Sequence, residues 1–225
     1  QGLIAQPVRW LLKHEGRSAA EIGDFIALLG VPWMLKPLYG LLSDLVPLRG
    51  LHRRPYLIGC ALLSALGLLF AWATAGRVAP EILLLALLIP GIGIAFSDVV
   101  IDALMVEKGQ PLALTGRLQS IQWTCIYVAS IGAGLIGGQL SGMGRPDLGF
   151  ALCGGVMLAS AGLAWSSVKE EPRSRASEGL APASRALWAA LLMPAVAAVA
   201  AFLLLWNFNP FSSTVLYLYM TEELS

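Results

Sequence analysis

Lys36, Asp98 and Asp102 are ionisable residues set inside long apolar stretches. A charge at the centre of a bilayer costs about 2.5–3.5 kcal/mol on insertion scales, so each needs a partner or water. Lys36 precedes Asp44 by eight residues, and Asp98 precedes Glu107 by nine. These are about 12 and 13.5 Å of helix. If Asp44 and Glu107 mark the same edge, the ammonium and the first carboxylate share one depth and can pair across adjacent helices. Asp102 follows Asp98 by one turn on the same face. Two carboxylates near one ammonium are unbalanced, and desolvation with mutual repulsion favours protonation of one of them. Such a group can exchange a proton as a cavity opens and closes. The alternative is a fixed pair that locks the helices together, and the sequence leaves both open.

Other polar residues in apolar surroundings have two readings each. Arg9, beside Trp10, either snorkels to the interface or contacts an anion in a central cavity. Gln119 and Gln122 share a face by their i,i+3 spacing and serve either a ligand or a neighbouring helix. Trp33 and Trp123 either stack on an aromatic ligand or pack at an interface. Asp24, at a helix mouth, reads as a cap or a solvated charge. Gly134 and Gly138 form a small-xxx-small pair that predicts close approach to another helix. Pro32, Pro37 and Pro90 mark bendable spans.

These residues must be positioned by membrane helices. Of 225 residues 57% are hydrophobic and 13% charged, with a mean hydropathy of +0.72. Soluble domains carry about 25% charged residues, so this composition excludes a water-soluble enzyme. A net charge of +1 gives no field for binding nucleic acid. Cys60, Cys125 and Cys153 lie in apolar runs and read as packing residues. There is no Ser/His/Asp set and no His-rich metal cluster, and neither an enzyme nor a cofactor is expected. About 20 helical residues cross a bilayer. Runs at 22–42, 55–75, 82–106, 118–140 and 148–168 meet that length, and a further crossing is placed at about 194–220, kinked near Pro210. The stretch 1–12 reads as the outer half of a first span, which makes seven spans with one incomplete.

Nine of the 15 basic residues fall in the connections on one side, among them Arg49, Arg53, Arg54, Lys108, Arg117 and Lys169. An excess of Lys and Arg marks the cytoplasmic side, so loops 44–55, 107–117 and 169–186 are expected there. The expected organisation is a bundle over 1–168, a polar linker over 169–186 rich in Pro, Ser and Ala, and the start of a second bundle over 187–225.

The connection Gly40-Leu-Leu-Ser-Asp44, followed by Arg49, His52, Arg53 and Arg54, resembles the loop between helices two and three of the major facilitator superfamily, stretched by an insertion. Further stretches sharpen the likeness. They are Lys36-Pro-Leu-Tyr-Gly40, Ser97-Asp98 through Asp102-Ala to Glu107, Gly116-Arg117-Leu118-Gln119-Ser120, and Asn209-Pro210-Phe211-Ser212-Ser213. Together they resemble the folate–biopterin transporter, or BT1, family over nearly the whole chain.

That resemblance implies an all-α membrane protein: the N-terminal six-helix bundle of a major facilitator-type carrier, its first helix partial, plus the first helix of a second bundle. It implies a folate, pterin or related small anion as substrate, commonly moved with protons. The partners implied are the lipid bilayer and the missing C-terminal bundle. By position, Lys36, Asp44, Arg54, Asp98, Asp102 and Arg117 match the family's charged pattern. A substrate or proton pathway is expected at Arg9, Lys36, Asp98, Asp102, Gln119, Gln122 and Trp123. A gating cluster is expected at Gly40, Asp44, Arg53, Arg54, Glu107 and Arg117. The membrane is expected to be an inner or plasma membrane or a chloroplast-type envelope. A competing reading is a carrier-like assembly factor for a pigment complex that transports nothing.

Overall fold

A computed structural model describes residues 2–170, 189 and 192–207. The chain separates into two compact units, Gln1–Pro172 and Arg173–Ser225. The first holds α1 (Gly2–His14), α2 (Ala19–Met34), α3 (Lys36–Leu45), α4 (Arg54–Thr74), α5 (Pro80–Gly109), α6 (Thr115–Gly142) and α7 (Leu148–Ser167). The described element of the second is α8 (Pro194–Asn207), an apolar helix. Among the described residues the extended structure is one isolated bridge, Leu48 to Leu51.

Among the described residues five stretches are long and apolar enough to cross a membrane: Ala19–Leu45, Arg54–Thr74, Pro80–Leu112, Thr115–Gly142 and Leu148–Ser167. They coincide with the five expected spans and run a few residues longer at several ends. The crossing expected at 194–220 begins where α8 begins, but its part beyond 207, Pro210 included, lies outside the described residues.

The span expected over 22–42 is not one helix. It breaks at Leu35 (φ −85°, ψ 3°) into α2 and α3. Pro37 is the physical reason. It has no N–H for the carbonyl of Trp33, and its ring crowds that carbonyl. Leu35 instead donates to Pro32 at 3.3 Å, and Leu38 donates to Leu35 at 2.9 Å. The helix restarts with Lys36 as its first residue.

The turn into α2 is set locally. Gly16 takes φ 75°, and Ser18 and Glu21 close a reciprocal capping box in which the Ser18 N–H donates to the Glu21 carboxylate at 2.8 Å. Between α3 and α4, Leu48 and Leu51 exchange both backbone hydrogen bonds. The residues between them, Arg49 and Gly50, stand at φ 57° and 79°, the pattern of a type I′ turn.

Two apolar clusters fill the first unit. Toward the Arg17 end, Val8 and Leu12 of α1 pack with Ile22, Phe25, Leu68, Leu87 and Phe150. Toward the Arg53 end, Tyr39, Tyr56, Cys60, Phe96 and Val100 form the second, with Phe96 stacked on Tyr39 at 5.0 Å and tilted against Tyr56 at 5.1 Å. α4, α5 and α7 contribute to both clusters, and α4 packs against α5 and against α7. Small residues allow the α4–α5 approach. A Cβ on Gly93 would lie 2.6 Å from the Cys60 carbonyl, and one on Gly67 would lie 2.6 Å from Pro90 Cδ. Ser64 is fully buried, donating to the Cys60 carbonyl at 2.7 Å.

The close approach expected at Gly134 and Gly138 is not made. Open space surrounds both positions, and α6 is largely exposed. Tight glycine contacts across a helix pair lie instead at Gly67 and Gly93, between α4 and α5, and at Gly154 of α7 against Leu69 of α4. Gly93→Val is therefore expected to cost about 1–3 kcal/mol through overpacking. Gly134→Ala should be neutral or stabilising by up to about 1 kcal/mol through helix propensity. Thermal unfolding in detergent micelles separates the two.

Candidate functional site

Two charged groupings link α3 to α5. The deeper one joins Lys36 Nζ to Asp98 Oδ2 at 2.6 Å. The break at Leu35 places Lys36 at the start of α3, and Asp98 lies in the long apolar run of α5. The side chains remain 35% and 27% exposed, so the pair is reachable. Lys36 Nζ also sits 4.7 Å from the centroid of the Trp33 ring, a cation–π contact that gives the ammonium a second partner.

Asp102 does not join that pair. It is exposed, one turn along α5, and accepts a 3.1 Å hydrogen bond from Gln122 Nε2 of α6. The expected set of two carboxylates around one ammonium is thus resolved into two separate pairs. Gln122 thus contacts a neighbouring helix, α5. Gln119 and Trp123 are exposed, and Trp123 leans on Tyr127 at 5.8 Å. Arg9 is half-buried on α1, next to the buried Val8.

The second grouping closes the loop end. Arg53, its side chain 8% exposed, reaches Asp44 Oδ1 at 2.6 Å and Glu107 Oε1 at 2.7 Å. Its Nη1 donates to Ser43 Oγ at 2.7 Å, and the Ser43 hydroxyl donates to the Gly40 carbonyl at 3.0 Å. Burial alone would pull the guanidinium down, but Glu107 and Asp44 outweigh it and hold Arg53 above the ordinary arginine value. Arg53 thereby binds α3, α4 and α5 at one point. Arg117 lies apart, exposed at the start of α6, and forms no ion pair among the described residues.

Sequence reasoning missed the acceptor at the start of α4. Glu170 accepts from the backbone N–H of His52 at 2.7 Å, Arg53 at 3.0 Å and Arg54 at 2.9 Å. Its legible signal is negative. His52-Arg53-Arg54-Pro55 has no Ser, Thr, Asp or Asn to cap the helix, so the orphan donors need a remote acceptor. Arg54 completes the contact, donating to the Trp165 carbonyl at 2.7 Å and lying 5.1 Å over the Trp165 ring.

Two cavities flank the deep pair. A slot of about 170 Å³ lies between α1, α2 and α5, with Ile4, Gly30, Trp33, Leu87, Gly91 and Ile94 in its wall. A broader groove of about 600 Å³ lies between α4, α5 and α7 and includes Ser97 and Asp98. Asp98 is thus open to the groove while paired to Lys36. No group of His, Cys, Asp and Glu among the described residues could hold a metal ion.

These features define a polytopic α-helical membrane protein with paired charges inside its spans. The BT1 family model matches residues 1–225, and the chain belongs to that family. A folate-biopterin transporter of Synechocystis sp. (strain ATCC 27184 / PCC 6803 / Kazusa) is 33% identical over 233 residues, covering 99% of this chain and 46% of that protein. Probable folate-biopterin transporter 4 of Arabidopsis thaliana is 36% identical over 139 residues, covering 58% of this chain and 28% of that protein. Probable folate-biopterin transporter 2 of the same plant is 35% identical over 125 residues, 55% of this chain and 24% of its own length. The matched stretch is less than half the length of each of these relatives. No solved structure matches the chain significantly. These relatives are named as transporters, and the five apolar spans among the described residues make the chain an integral, multi-pass membrane protein.

Burial pushes the Glu170 carboxyl up, but the three amide donors outweigh it and hold it below the ordinary glutamate value. A depressed carboxyl stabilises the fold in full above its unfolded value, about 4.3. That contribution is lost as pH falls through the lower folded value. Glu170→Gln should therefore lower stability at neutral pH by about 1 kcal/mol. Its deficit against wild type should shrink from about pH 5 down to pH 3. Unfolding temperatures across that range, in detergent, test this; an unchanged gap at pH 3 counts against the carboxylate cap.

Proposed function

We propose that the protein carries folate- or pterin-like anions across a membrane as a secondary active transporter, coupled to protons and working by alternating access. The observation that carries this reading is the Lys36–Asp98 pair, about one-third exposed in the middle of two spans. Exchange with a substrate or proton needs access, and both members of the pair have it. The names of the Synechocystis and Arabidopsis relatives supply the substrate class.

In this reading Asp98 exchanges a proton or a substrate contact when the pair opens. Asp102 and Gln122 form a second polar step along α5 and α6. Arg9 is an anion contact on α1, and Gln119 and Trp123 stand further along the same route. The Asp44–Arg53–Glu107 cluster, with Gly40, Arg54 and Arg117, closes the cytoplasmic end, where loops 44–55, 107–117 and 169–186 lie. A complete cavity needs a second bundle facing the first. We assign 1–168 to the first bundle, 169–186 to a cytoplasmic linker and 187–225 to the second. An inner, plasma or plastid-type membrane suits this assignment. The relatives' names speak for transport and not for pigment assembly.

Asp98→Asn in the native protein is expected to abolish uptake of labelled folate in reconstituted vesicles while leaving the amount in the membrane unchanged. Uptake at the wild-type rate by that variant would overturn the coupling role.

A further inference from the structure

We propose that Trp33 is a positioning residue of the transport cycle: its ring is a second seat for the Lys36 ammonium, which settles there when Asp98 takes up a proton. This rests on the proton-coupled reading above. Lys36 Nζ lies 2.6 Å from Asp98 Oδ2 and, at the same time, 4.7 Å from the centroid of the Trp33 ring. A ring face attracts a cation within about 6 Å of its centroid, and tryptophan does so most strongly. The ammonium therefore already touches its second partner while bound to the first. A change of partner needs no swing of the lysine stem. Trp33 stands in the last turn of α2 and Lys36 opens α3, so the two side chains straddle the break at Leu35.

The two partners of the ammonium border different spaces. Asp98 lines the groove between α4, α5 and α7. Trp33 lines the slot between α1, α2 and α5, which leaves room beside its ring. The charges around Asp98 are few. α3 supplies Lys36. Asp102, one turn along α5, is engaged by Gln122 of α6. The residues that α4 and α7 contribute to the groove include no acidic or basic side chain. α1 meets the slot through Ile4, and Arg9 stands five residues nearer the Arg17 end, about 7.5 Å of helix away. The partner of Lys36 outside its ion pair is thus the Trp33 ring.

In the proposed step the Asp98 carboxylate takes a proton from water and becomes a neutral acid. Lys36 keeps its own protons and its charge, so the pair gains one positive charge in total. Without a second seat, that ammonium would be stranded in an apolar span at a cost that opposes proton uptake. The ring removes part of the cost, and it does so only for the charged amine, because its attraction is electrostatic. Trp33 therefore keeps Lys36 protonated and close by, ready to recapture Asp98 when the proton leaves.

Two measurements on the native protein test this. The first is thermal unfolding in detergent of Trp33→Leu and Trp33→Phe, each made in wild type and in Asp98→Asn, which mimics the protonated acid. Trp33→Leu should cost about 2–4 °C more in Asp98→Asn than in wild type, the worth of one cation–π contact in a chain of this size. Trp33→Phe, which keeps a ring face, should remove most of that excess. If Trp33→Leu does not fold, Trp33→Met takes its place. The second is uptake of labelled folate into reconstituted vesicles as a function of pH. Trp33→Leu should move the midpoint of the profile down by about 0.5–1 pH unit, because proton loading has become harder, and Trp33→Phe should restore it. Equal thermal cost in the two backgrounds, or Leu and Phe variants that behave alike, would overturn the seat; so would a rate lowered at every pH with the midpoint unmoved. The thermal excess in a protein whose uptake is absent or independent of pH would keep the seat and overturn the proton-coupled reading alone.

Discussion

A charge inside an apolar span cannot be left alone, and the arrangement of α3 against α5 follows from that constraint. Two ionic contacts tie these helices at two depths, Lys36 to Asp98 and Asp44 through Arg53 to Glu107. Both helices run from the Arg17 end toward the Arg53 end, so intervals of eight and nine residues bring the two contacts to matching depths. The difference of one residue is about 1.5 Å, which a flexible lysine stem absorbs. The break at Leu35 belongs to the same arrangement, because it lets α3 start at Lys36 with its own direction.

The loop end is held by a different kind of economy. Four orphan donors open every helix, and α4 carries no capping residue of its own. Glu170, more than a hundred residues away, takes three of the N–H groups there. Arg54 then fixes the end of α7 through the Trp165 carbonyl and ring. The start of the stretch after α7 is thereby tied to the same point where Arg53 gathers α3, α4 and α5. A movement of any one of these helices must break a contact with charged character, which gives the bundle a discrete rather than a graded response.

The deep pair differs from the loop-end cluster in accessibility. Arg53 is enclosed and has several acceptors, so replacing any one of them leaves a buried charge. Lys36 and Asp98 are each in partial contact with open space, and each has an alternative: Trp33 for the ammonium and the α4–α7 groove for the carboxylate. A pair with alternatives can trade partners at lower cost than one without.

Much of this was legible in the chain itself. Hydropathy and length determined the five spans, because a bilayer demands an unbroken apolar run that composition alone reveals. The shared depth of Lys36 and Asp98 followed from helical rise, and the family likeness was carried by motifs around those same residues. What the tertiary structure decided was partnership. Spacing fixes which residues share a face, but not which neighbouring helix meets that face. Asp102 therefore turned out to serve Gln122 rather than Lys36, and the glycine contacts fell at Gly67 and Gly93 rather than on α6. The Glu170 cap joins residues more than a hundred positions apart and has no local signal except an absent residue, so only the folded chain could bring donor and acceptor together.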